Sequence, residues 1–144
     1  PYLCSKVVIP GMIERKRGRI IMVGSNMAFF PYPMVSAYGC SKAGLFRLAD
    51  NLAGSLKEHG ISVFTMSPGL VATEMTQDIP PEVVAQAEWT PIEKPAALCV
   101  ALASGRADAL SGRFIHTASN DLDELLSRVD EIAEKNLQTM RLAE

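Results

Sequence analysis

The chain has 144 residues, 48% of them hydrophobic, with 14 basic and 16 acidic side chains and a formal net charge of -2. That size and apolar content suit a single domain over residues 1–144 with a real core. The even mix of charges gives no footprint for nucleic acid or an anionic membrane, no apolar run has the length of a membrane span, and no secretory signal pattern is present, so a cytoplasmic location is expected.

At the start of the chain, Val7, Val8, Met12 and Ile13 predict a helix within Leu3–Arg15, and the basic cluster Glu14–Arg19 reads as its solvated end and turn. Ile20–Val23 is a short continuous apolar run, the pattern of a strand buried on both faces. After a loop rich in proline and large apolar residues, Leu45, Leu48, Ala49, Leu52 and Leu56 recur at three- and four-residue steps, predicting a helix from about Ser36 to His59 that Gly60 stops. Ile61–Ser67 is the second strand, ended by Pro68 and Gly69.

Thr73–Thr90 is less regular, and its prolines suit short helices. Lys94–Ser104 predicts a buried helix, Arg113–Ala118 a third strand, and Asp121–Leu142 one amphipathic helix with Leu122, Leu125, Leu126, Val129, Ile132, Ala133 and Leu137 as its stripe. Cys4, Cys40 and Cys99 are odd in number and far apart, so neither a disulfide framework nor a metal site is expected. His59 and His116 read as surface or end-of-element residues rather than ligands.

Strands alternating with helices predict right-handed crossovers and a parallel sheet covered on both faces, an α/β Rossmann-like doubly wound fold. Folds of this kind usually open with a strand, a glycine-rich turn and a helix that holds a dinucleotide pyrophosphate. No G-x-G-x-x-G occurs here. The expected sheet is therefore incomplete, lacking the cofactor-binding half, and one sheet edge and some apolar helix faces should stand open.

The chemistry concentrates at the predicted carboxyl ends of the strands, where parallel sheets bind ligands. Ser25 follows the first strand, and Tyr38 and Lys42 open the next helix one turn apart on one face. Phenols in water ionise at about pH 10 and are poor acid-base catalysts at neutral pH; a neighbouring ammonium favours the phenolate. The pairing suits Tyr38 to give a proton to a carbonyl oxygen or take one from an alcohol, with Ser25 donating a second hydrogen bond to the same oxygen. Small residues around Tyr38 leave room for a cofactor and for close helix packing. A lone Tyr-x-x-x-Lys is weak evidence, since such pairs arise by accident on helix surfaces. The serine thirteen positions earlier, the preceding strand, and the second strand ending in Pro-Gly with a threonine four residues on make chance a poor explanation.

The run GRIIMVGSNMAFFPYPMVSAYGCSKAGLFRLADNLAGSLKEHGISVFTMSPGLVATEMT resembles the short-chain dehydrogenase/reductases, over about Pro1–Thr117, and looks most like their shorter, single-domain branch. The resemblance implies the catalytic half of an oxidoreductase that moves hydride between NAD or NADP and a small-molecule carbonyl or alcohol. It implies that Ser25 orients substrate, that Tyr38 is the general acid/base, and that Lys42 also holds the nicotinamide ribose. Pro68 and Gly69 match the turn beside the nicotinamide. Val71 matches a backbone contact to the carboxamide, and Thr73 a contact to the carboxamide or a nearby phosphate. Met27, Phe29, Phe30 and Met34 fall where the family lines its substrate pocket, and about Glu74–Pro91 where it carries a mobile closing segment. The family's glycine-rich loop, its NAD/NADP-selecting residue, its Asn-Asn-Ala-Gly strand and its catalytic asparagine are absent, and its usual Asp-Gly-Gly is replaced by Thr-Ala-Ser-Asn-Asp.

Tight binding of an intact dinucleotide by these 144 residues alone is therefore not expected. The resemblance also implies a homodimer or homotetramer assembled through the Tyr38 helix and the end of the first helix. A second reading follows from this: a half-domain that keeps the interface and serves assembly without catalysis. An epimerase or dehydratase using the same tyrosine and lysine is a third, disfavoured by the short serine-to-tyrosine spacing.

Overall fold

The computed structural model describes residues 1–31, 33, 35–79 and 88–141. In chain order the elements are α1 (Tyr2–Glu14), β1 (Gly18–Val23), α2 (Ser36–Leu56), β2 (Ile61–Ser67), α3 (Glu74–Gln77), α4 (Glu93–Ser104), β3 (Phe114–His116), α5 (Leu122–Ser127) and α6 (Val129–Glu134). Short 3-10 turns sit at Asn26–Ala28, Lys57–His59 and Asp108–Leu110.

The three strands form one parallel sheet in the order β1-β2-β3, with Gly18 opposite Ile61 and Val23 opposite Met66, and Ser67 opposite His116. All seven residues of β2 are buried. Its side chains alternate between two cores, as the period of a strand requires. Ile61 and Val63 join Met22, Ala49, Ala53 and Leu56 on the α1–α2 face, where Ile9, Met12 and Ile13 of α1 close the cluster. Phe64 and Met66 join Leu98, Leu102, Ile115, Leu125 and Ile132 on the α4–α6 face. A strand covered on both sides carries apolar residues on both of them, and the polar Ser62, Thr65 and Ser67 are buried among these.

The predicted strands and the helices within Leu3–Arg15, Ser36–His59 and Lys94–Ser104 are found with small shifts at their ends. β1 is not buried on both faces, since it is an edge strand in which only Met22 is fully buried and Val23 is exposed. The expected short helices at Pro80 and Pro81 lie outside the described residues. Over Asp121–Arg141 the chain forms two short helices rather than one, and Leu142 lies outside the described residues. Asp121 caps α5 by accepting the Glu124 amide at 2.9 Å, and the chain bends at Arg128. After α6, Asn136 and Gln138 take positive φ angles and the chain folds back, so that the Gln138 carbonyl accepts the amide of Phe114 at 2.8 Å. Most of the apolar stripe is nonetheless used: Leu125 and Ile132 are buried, and Leu122, Leu126, Val129 and Leu137 pack against the same core, whereas Ala133 is exposed. Among the described residues no helix is long and apolar enough to cross a membrane.

The α1 helix is only half covered. Ile9, Met12 and Ile13 pack inward, while Tyr2, Leu3, Val7 and Val8 are exposed. Val23 at the end of β1 and Val100 on α4 are exposed as well.

Candidate active site at the carboxyl ends of the strands

Gly24 carries the chain out of β1. Its amide donates to the Met66 carbonyl at 2.7 Å, and a Cβ at this position would lie 2.5 Å from the Thr65 methyl, so only glycine fits so close to β2. Ser25 follows in extended conformation, and its Oγ accepts the Met27 amide at 3.2 Å, capping the 3-10 turn. The first turn of α2 lies directly against that turn: a Cβ on Gly39 would come within 3.2 Å of the Met27 carbonyl. The glycine after Tyr38 therefore lets the tyrosine helix approach the loop that carries Ser25.

Lys42 lies one turn further along α2. Its Nζ donates to the Val23 carbonyl at 2.9 Å, at the carboxyl end of β1, and stands 5.4 Å from the centroid of the Tyr38 ring. Tyr38 itself is 38% exposed. The structure thus gathers Ser25, Tyr38 and Lys42 around the end of β1.

Phe29 turns inward. Its ring packs edge-on to Phe46 of α2 at 4.7 Å and to Phe114 of β3 at 5.1 Å, an arrangement favoured by the aromatic quadrupole. Phe30 is 60% exposed, and Met27 is half-buried. Met34 lies outside the described residues, as does the 80–87 part of the expected closing segment.

Beyond β2, Gly69 takes a φ of 78°, and its amide faces the Ser67 Oγ at 3.4 Å. Trp89 pairs with Leu70, and the Thr90 amide donates to the Leu70 carbonyl at 2.7 Å. The two ends of the segment between Leu70 and Trp89 are thereby clipped together beside the Pro68–Gly69 turn. Val71 and Thr73 are engaged locally: the Thr76 hydroxyl donates to the Val71 carbonyl at 3.0 Å and lies 2.9 Å from the Thr73 amide, which donates to it. A hollow of about 470 Å³ lies between Thr73, Thr76, Ile79 and Trp89.

Two residues at this end of the sheet escaped the sequence reading of the site. Thr90 is 6% exposed, and its hydroxyl has no hydrogen-bond partner among the described residues. His116 ends β3 and is half-buried; burial holds its pKa below the usual imidazole value. Neither carries a motif: a threonine before a proline and a histidine at a strand end are ordinary in a sequence.

A three-stranded parallel sheet with helices on both faces places the chain among the α/β proteins of Rossmann-like fold. The chain belongs to the short-chain dehydrogenases, whose family model matches residues 1–83. It is 36% identical over 98% of its length to the short chain dehydrogenase andI of Emericella variicolor, of which it covers 49%. It is 35% identical over 90% of its length to a short chain dehydrogenase of Pseudocercospora fijiensis, of which it covers 47%. Among solved structures it resembles a 7 alpha-hydroxysteroid dehydrogenase complexed with NADH and 7-oxo glycochenodeoxycholic acid, with a TM-score of 0.72 and 26% identity over 78% of this chain and 47% of that one. The chain thus spans about half the length of the relatives it matches.

Proposed function

We propose that these residues form the catalytic half of an NAD(P)-dependent oxidoreductase acting on a carbonyl or alcohol. The observation that carries this reading is the placement of Lys42. Its ammonium is fixed to the end of β1 by the Val23 carbonyl, one turn from Tyr38 and beside the loop that begins at Ser25.

The donor set suits the nicotinamide end of a dinucleotide. An ammonium has three N–H groups; one is spent on Val23, and two remain for ribose hydroxyls. The Pro68–Gly69 turn, Val71 and Thr73 would border the nicotinamide ring and its carboxamide. A dihydronicotinamide held there would supply a hydride to the carbonyl carbon. Ser25 and Tyr38 then act on the carbonyl oxygen. The Ser25 hydroxyl donates one hydrogen bond to it, and the Tyr38 hydroxyl donates the second and delivers its proton as the C–O bond becomes single. The Lys42 ammonium, 5.4 Å from the centroid of the Tyr38 ring, places a positive charge near the oxygen that gives up the proton. In the direction of alcohol oxidation the same phenolate takes the hydroxyl proton back. Met27, Phe30 and Met34 would shape the substrate side. No G-x-G-x-x-G occurs among these 144 residues, so the donor set named here serves the nicotinamide end of the dinucleotide.

Titration of the protein with NADH and NADPH, followed by nicotinamide fluorescence, tests the reading together with oxidation of the bound cofactor by a ketone. Saturable binding, however weak, and ketone-dependent oxidation support it; no saturable response to either cofactor contradicts it.

One observation favours a second reading, assembly without catalysis: Tyr2, Leu3, Val7 and Val8 leave α1 with an exposed apolar side. Sedimentation measures it, because a homodimer or homotetramer that survives loss of cofactor binding is what that reading requires.

A further inference from the structure

We infer that His116 is a substrate-positioning residue whose Nε2–H donates a hydrogen bond to a second oxygen of the substrate, remote from the carbonyl that is reduced. The inference rests on the oxidoreductase reading above and extends it to the class of substrate.

The position of the ring comes first. His116 closes β3 opposite Ser67, so it stands level with the start of the Pro68–Gly69 turn at the carboxyl end of the sheet. Its imidazole lies 6.2 Å from the Phe114 ring, two residues earlier and on the same face of the strand. Phe114 in turn packs against Phe46 of α2 at 5.3 Å and against Phe29 at 5.1 Å. The imidazole therefore lies on the α2 face of the sheet, at the outer end of an aromatic row that leads to the loop following Ser25.

The tautomer comes second. Nδ1 accepts the Ala118 amide at 3.2 Å and lies 2.9 Å from the Ser119 hydroxyl. A backbone amide can only donate, so Nδ1 carries a lone pair and the proton of the neutral ring is on Nε2. Protonating Nδ1 would cost the Ala118 bond, and burial opposes the charged ring in the same sense.

The support is rigid. The His116 amide donates to the Asn120 side chain at 2.8 Å, and the Thr117 amide and hydroxyl both donate to the Ser67 carbonyl, at 2.9 and 2.7 Å. The Thr-Ala-Ser-Asn turn thus holds a neutral imidazole in one tautomer, and Nε2 has no acceptor among the described residues. A fixed, half-buried, uncharged donor at the ligand end of a parallel sheet suits an oxygen acceptor such as a hydroxyl, ether or second carbonyl.

Histidine-selective 15N labelling and NMR at pH 7 test this, with 4-hydroxycyclohexanone and cyclohexanone as probes. The free protein should show the Nε2–H tautomer at His116. The hydroxyketone should shift that nitrogen saturably and cyclohexanone should not. His116→Gln, which keeps a donor, should retain binding of the hydroxyketone, and His116→Phe should weaken it at least tenfold while leaving cyclohexanone unchanged. Where the protein oxidises NADH or NADPH, the His116→Phe loss should fall on KM and not on kcat. An Nδ1–H tautomer, no shift with the hydroxyketone, or equal loss for both ketones would overturn the inference. Failure of the oxidoreductase reading shows itself separately, as absence of cofactor oxidation in a protein whose His116 still responds to the hydroxyketone.

Discussion

Gly69 and Thr90 lie so close that a methyl group on residue 69 would sit 2.2 Å from the Thr90 hydroxyl oxygen and 3.0 Å from its Cβ. Gly69 also needs a φ of 78°, a backbone region that costs an L-residue energy. Gly69→Ala should therefore destabilise the fold by about 2–4 kcal/mol, combining left-handed strain with overpacking. A lower urea midpoint with an unchanged slope is the expected result.

Thr90 offers the opposite experiment. Its hydroxyl is buried without a partner among the described residues, and an unsatisfied hydroxyl costs about 1–3 kcal/mol. Thr90→Val keeps the shape and removes that cost, so it should raise stability by about 1 kcal/mol. Thermal denaturation of the two proteins side by side measures the difference. A drop in melting temperature would mean that the hydroxyl has a partner in solution.

Arg19 and Asp108 tie the start of β1 to the 3-10 turn before β3. Nε of Arg19 donates to Oδ1 of Asp108 at 2.8 Å. The Arg19 hydrogen bond holds the Asp108 carboxyl below the usual carboxylate range, against a smaller opposing effect of burial. A carboxyl depressed in the folded state contributes stability above its unfolded pKa and loses it as pH falls through the folded value. The pair is partly exposed, 25% and 42% at the two side chains, so solvent screens it and its worth is about 1 kcal/mol or less. Asp108→Asn should lower the urea midpoint at pH 7, and the gap between the two proteins should close in strong acid.

Lys42→Met removes both the anchor to Val23 and the ammonium beside Tyr38. Because the bond to Val23 is solvent-exposed, the fold should lose only about 1 kcal/mol or less. Cofactor affinity and turnover should both fall, each by tenfold or more, because one ammonium serves ribose and tyrosine. A variant with native affinity for NADH or NADPH would contradict that dual role.

Much of this was legible in the residues because the pattern and the structure share one cause. Ile61 and Val63 face one core while Phe64 and Met66 face the other, so apolar letters fall on both faces of β2, with Ser62, Thr65 and Ser67 buried between them; Leu45 to Leu56 recur on the buried side of α2 and gave that helix away. The Tyr38–Lys42 neighbourhood followed from helical spacing alone. What spacing could not show is where Lys42 reaches, since its bond to Val23 depends on the crossing of α2 over β1. The break at Arg128 left no glycine or proline to mark it, and the apolar steps of Leu122 to Leu137 suit two short helices as well as one long one. Sequence position leaves Phe29 open between pocket lining and ordinary loop packing; it packs into the Phe46–Phe114 cluster, a contact that joins residues far apart in the chain. The tautomer of His116 depends on the Ala118 amide, a backbone group that carries no letter in a sequence.

The most direct test of the account is Tyr38→Phe, which removes one oxygen from a residue 38% exposed and leaves the ring beside Lys42 in place. Ketone-dependent NADH or NADPH oxidation and cofactor affinity should be measured together on both proteins. The account predicts that turnover falls by about 100-fold or more, the scale of a lost general acid, while cofactor affinity changes by less than about threefold. Unchanged turnover would contradict the assignment of Tyr38 as the proton donor.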